Sequence, residues 1–138
     1  MIQDITENPL LTSIDAVFQK GHRSKFSISF QQAIKKETEV IKNYLGIESD
    51  RQAMFWSMLF GMAIQSNGSI DLDSFSNYLN TTVLRVFVFQ KDFDELVKRK
   101  LLQRQKSSRR RRGESLNYQN LSIPVDLIYS VVNNEPLP

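Results

Sequence analysis

The fold turns on the stretch Leu72-Asp73-Ser74-Phe75-Ser76-Asn77-Tyr78-Leu79-Asn80-Thr81-Thr82-Val83-Leu84-Arg85-Val86-Phe87-Val88-Phe89. Phe75, Tyr78 and Leu79 share one side of a helix, which predicts a short helix from Ser74 to Leu79 capped by Asp73. Asn80-Thr81-Thr82 carries the short polar side chains of a turn and supplies a new cap. The residues from Val83 to Phe89 are β-branched or aromatic almost throughout, which by propensity alone favours a strand. Phe89, Phe93, Leu96 and Val97 nevertheless continue at helical spacing, so Thr82 to Arg99 is read as helical, with a break near Gln90 to Asp92.

Upstream, Phe30, Ala33, Ile34, Ile41 and Leu45 mark one face of an amphipathic helix that Gly46 ends. Ser49-Asp50-Arg51-Gln52 has the form of a capping box, with Ser49 as cap and Gln52 reaching back. The helix it opens, about Asp50 to Ser66, has almost no polar face between Ala53 and Ile64, so it is expected to be central and buried, with Trp56 and Phe60 in the core. Asn67-Gly68 ends it, and Ser69 to Leu72 follows as an extended link. In the first 28 residues, Asn8-Pro9 suggests a helix start. Leu10, Leu11, Ile14, Val17 and Phe18 fall at helical spacing, and Gly21 is a stop. His22, the only histidine, has no partner of the right type nearby and is expected at the surface.

Downstream, Leu101 to Gln105 is predicted to be a strand and Tyr118 to Ile123 its return. Between them lies a polar, basic loop from Lys106 to Asn117. Pro124 suits the first position of a last helix, with Val125, Leu127, Ile128, Val131 and Val132 as its apolar residues. The expected class is mainly α with a small β-hairpin. The order of helix, short helix, tight turn, helix and basic hairpin is that of a winged helix, the α+β variant of a helix-turn-helix. Its helix-turn-helix core is Leu72 to Phe89 or beyond, and its wing tip is Lys106 to Asn117. The expected organisation is an N-terminal segment 1–28, a winged-helix domain 29–134, and a linker start at 135–138.

Composition removes whole classes of chemistry. The 138 residues include no cysteine, which excludes disulfides, zinc-thiolate sites and cysteine nucleophiles, and one histidine cannot make a multi-histidine metal site. The sequence holds no GxxxxGK[ST] phosphate loop, no HExxH and no GxSxG. Asp71 and Asp73 do not continue into a calcium loop. Asp92, Asp94 and Glu95 are expected on a solvated helix surface. No catalytic residue, metal ligand or cofactor is assigned in this fragment. The first residues lack the features of a signal peptide and no apolar run reaches spanning length, so a cytoplasmic protein with no membrane partner is expected.

The net charge of +3 conceals an asymmetry. Nine of the fifteen residues from Lys98 to Arg112 are basic and none is acidic, while the other 123 residues carry a net −6. Such a block marks an anionic partner, a solvated loop or a targeting signal. Contact with nucleic acid or an acidic protein surface would fall to Arg104, Lys106, Arg109, Arg110, Arg111 and Arg112, with Arg85 as a further contact residue. Reading of base edges needs polar side chains in an exposed stripe. From Thr82 to Phe89 the one charged residue is Arg85, so backbone contact is expected over base readout.

Three stretches carry a family resemblance. They are Asp71 to Leu79; Phe93-Asp94-Glu95-Leu96-Val97-Lys98-Arg99-Lys100-Leu101-Leu102; and Arg109-Arg110-Arg111-Arg112-Gly113-Glu114-Ser115-Leu116. Together they resemble the region before the motor in certain bacterial AAA+ ATPases, and Asn134-Glu135-Pro136-Leu137-Pro138 resembles the lead-in to that motor. The resemblance covers roughly Gln31 to Pro138. It implies a winged-helix accessory domain whose partners include its own downstream ATPase domain, with ATP and magnesium needed only there. An adaptor that recruits substrate or packs on the motor is the alternative it leaves open.

Overall fold

The computed structural model describes residues 8–66, 69–105 and 120–138. Among them are eight helices and one two-stranded antiparallel sheet. The helices are α1 (Pro9–Gly21), α2 (Ile28–Ala33), α3 (Lys35–Leu45), α4 (Asp50–Gln65), α5 (Leu72–Leu79), α6 (Val83–Phe87), α7 (Gln90–Lys98) and α8 (Val125–Val132). The strands are β1 (Gln103–Gln105) and β2 (Asn120–Ser122), joined so that Arg104 faces Leu121. The expected class, mainly helical with a small hairpin, is what is found.

Helix α4 is the axis of the core. Trp56 is wholly buried, Phe60 nearly so, and α1, α3, α7 and β2 all pack on this helix. Phe55 meets Phe26, Phe75, Phe89 and Phe93, with ring centroids between 4.7 and 6.0 Å apart. Such clusters add to area burial because edge and offset contacts suit the ring quadrupole. The Trp56 indole N–H donates to the Leu101 carbonyl at 3.0 Å, which fixes the chain entering β1. Gly61 is small for a reason: the Phe18 ring occupies the space a side chain there would fill. Ile64, expected inside, is exposed, at the rim of a cleft between α4 and α1.

Several boundaries differ from expectation, each for a local cause. The predicted helix Phe30 to Leu45 is divided at Ile34 into α2 and α3, and Ala33 is exposed. The Ile34 carbonyl accepts both the Thr38 N–H at 2.9 Å and the Thr38 hydroxyl at 2.8 Å, a back-bond of the kind that bends helices. Ile34 at the break is completely buried. Ser49 caps α4 as expected, accepting from the Gln52 N–H at 3.2 Å. The Gln52 side chain does not close the box; it donates to buried Asp92 at 3.2 Å. That carboxylate also pairs with Arg51 at 2.7 Å, so the Gln52 side chain turns to Asp92 of α7 and not to the Ser49 N–H.

Helix α5 starts two residues early, with Asp71 rather than Asp73 as its cap, accepting from the Ser74 N–H at 2.6 Å. This places Leu72 inside the first turn, where it is buried. The break in the third helix falls at Val88 and Phe89 instead of Gln90 to Asp92. Leu101 and Leu102 precede β1 and are buried in the core, and β2 begins at Asn120. Pro124 caps α8 rather than opening it. The expected helix end at Asn67-Gly68, the wing tip Lys106 to Asn117 and the return-strand start at Tyr118 lie outside the described residues.

Candidate functional site

Two places in the fold hold the residues singled out in the sequence. The first is the stem of the hairpin. Ile70, between α4 and α5, exchanges both backbone hydrogen bonds with Leu121, each 2.7 Å long. β2 therefore lies between Ile70 and β1, and three extended segments stand side by side. β1 and β2 hold the two ends of the basic segment at paired register positions, Gln105 opposite Asn120.

Arg104 stands on β1 and its guanidinium pairs with Asp94 of α7. Arg99, at the end of α7, pairs with Glu95 at 3.3 Å. Both pairs are solvent-accessible, so each adds only about 0–1 kcal/mol and gives way readily to a stronger anion. Arg104 also borders a cleft of about 780 Å³ that Val97, Leu127 and Leu137 share. Lys106 and Arg109, Arg110, Arg111 and Arg112 lie outside the described residues.

The second place is α6, which covers most of the stretch Thr82 to Phe89 that holds Arg85. Thr82 caps it, its hydroxyl accepting from the Arg85 N–H at 3.3 Å. Arg85 is exposed, as a contact residue must be, and makes no ion pair among the described residues. It does not share the cleft of Arg104; it borders a separate groove of about 370 Å³. On either side of it Leu84 and Val88, one helical turn apart, are 75% and 73% exposed. Val86 points the other way and is buried.

The exposed pair was not identifiable from the sequence. Val83 to Phe89 is apolar at nearly every position, so no polar face marks which side meets water. Lys25 and Phe26, which border the same groove, come from the loop after α1 and are equally silent in the pattern. That loop is held by its backbone: the Arg23 N–H donates to Tyr78 O and the Lys25 N–H to Leu79 O, each at 2.8 Å, filling acceptors at the end of α5. The fit requires left-handed backbone at Arg23, Lys25 and Phe26, with φ of 63°, 56° and 53°.

Neither place offers a metal cage. No group of three or more His, Cys, Asp or Glu residues is arranged to hold an ion among the described residues. Gly21 and Gly61 serve packing, against Tyr78, Met58 and Phe18, rather than a phosphate-binding turn. Among the described residues no helix is long and apolar enough to cross a membrane. Comparison with family models, with curated proteins and with solved structures finds no match.

Proposed function

We propose that this chain is a non-catalytic winged-helix module of a larger AAA+ ATPase, and that it touches nucleic acid or another polyanion through the basic segment between β1 and β2. The observation that carries the fold part is the pairing of Ile70 with Leu121. It supplies an extended segment between first and second helices beside the hairpin, and the order α4, Ile70, α5, α6 with α7, β1, β2 supports that plan among the described residues. The contact part rests on charge: Arg104 leads into Lys106 and Arg109 to Arg112, a run able to neutralise several phosphates. Nucleotide chemistry belongs, in this reading, to the motor. This chain has no glycine-rich loop to cradle a triphosphate, and no step is assigned to it here.

The test is a fluorescence titration of the chain with unrelated duplexes at several salt concentrations. Affinity should fall as salt rises, with a slope near ~0.9 per phosphate neutralised. Replacing Arg109 to Arg112 by alanine should flatten the slope and weaken binding to all sequences alike, whereas Arg85→Ala should change little. An absence of salt-sensitive binding at low ionic strength would end the polyanion reading.

A second reading, a protein-contact adaptor, is favoured by Leu84 and Val88. A helix that reads bases presents polar side chains there. An apolar pair on the exposed side of α6 suits a protein surface better.

A further inference from the structure

We infer that the groove beside α6 takes a short peptide segment in which carboxylates flank apolar side chains; the inference rests on the protein-contact reading. Leu79 and Val86 are buried at its floor. Phe26 and Phe89, half-buried, form its walls and touch each other at a 5.6 Å centroid distance. Val88 stands exposed at the edge. The apolar lining accounts for the apolar part of the ligand.

The rim accounts for the charge. Lys25 and Arg85 are the charged residues bordering the groove, both are exposed, and no carboxylate lines it. Neither makes an ion pair among the described residues, in contrast to Lys42, Arg51, Arg99 and Arg104, which are matched by acids. Two unmatched cations around an apolar floor complement an acidic-apolar segment and repel a basic one. The groove also has a firm frame. Lys25 is tied by its N–H to Leu79 O at 2.8 Å, and α6 by its Thr82 cap, so little ordering entropy is lost on binding.

The experiment uses the whole chain, ¹⁵N-labelled, and three fluorescein-labelled dodecapeptides. They share leucine and phenylalanine positions and differ only in carrying glutamate, glutamine or lysine between them. The glutamate peptide should bind best, lose affinity as salt rises, and shift the amide signals of Lys25, Phe26 and Thr81 to Phe89. Arg85→Glu should weaken it roughly tenfold or more, since it sets like charge against like. Val88→Ser should weaken it too. Both positions are exposed, so the fold survives either change. The variant with Arg109 to Arg112 replaced by alanine should retain the binding and the same shifts.

Three results overturn the inference. Equal binding of the glutamate and glutamine peptides removes the acidic class while leaving protein contact at α6 in place. Shifts confined to the hairpin stem, lost in the four-alanine variant, move the site to the basic segment. No shift at α6 with any of the peptides removes the groove and the protein-contact reading together.

Discussion

Tyr78 shows what one side chain does between two elements. Its hydroxyl donates to the Phe18 carbonyl, and its ring stacks on Phe18 with centroids 5.3 Å apart. Burial pushes its phenol well above the ordinary value of 10.0. The folded chain therefore keeps this proton at pH values where the unfolded chain has released it. Above pH 10 the unfolded state binds fewer protons, so stability must fall as pH rises, from the unfolded value up through the folded one; below pH 10 the contribution is fully present. Tyr78→Phe should cost about 0.5–1.5 kcal/mol at neutral pH, for the lost hydrogen bond. It should also flatten the alkaline decline in urea midpoints relative to wild type. Parallel curves above pH 10 would contradict the burial argument.

At the scale of the element, α6 separates what holds the fold from what faces out. Leu84→Ser should change stability by less than about 0.5 kcal/mol, because Leu84 is already in water. Val86→Ala, two residues away, should cost roughly 1–3 kcal/mol by leaving a cavity under the helix. Similar losses from both, measured by urea unfolding, would mean that the two faces are misassigned. The sequence could not have made this distinction, because Val83 to Phe89 is apolar at every position but Arg85. It did reveal α4, where burial all round needs no choice of face, and Ser49 and Thr82, whose caps are local. It put the cap of α5 at Asp73, where Asp71 serves, because either aspartate can cap and only the burial of Leu72 favours the earlier start. The break at Ile34 was hidden because the helical pattern runs on through it, and the Thr38 back-bond beside it leaves no mark in that pattern. Gln52 was misread because its partner, Asp92, lies forty residues further on. The arginine run was legible as charge. The groove was not, because a loop, a helix end and α6 form it jointly.

Across the whole molecule, bonds between distant parts of the chain close the structure. Trp56→Phe should cost about 2–4 kcal/mol, combining a cavity with the loss of the indole bond to Leu101. It should speed hydrogen exchange at Leu121 more than in α1, since the stem loses its anchor; equal effects in both would show that the indole supports the core alone. Asn8 spans a greater distance. Its side-chain oxygen accepts from the Leu11 N–H at 3.0 Å, and its amide donates to the Val131 carbonyl at 2.9 Å, 123 residues away. The cap of the first described helix is thus completed by the end of the last. A ribosome makes α1 and α4 long before α8. During synthesis Asn8 waits for Val131, Phe55 for Phe93 and Trp56 for Leu101, and α4 emerges with α1 and α3 ahead of it but before α7 and β2. A nascent chain with α4 outside the ribosome and α7 and β2 still to come presents the side of α4 that they later cover, and in that interval a chaperone has most to hold.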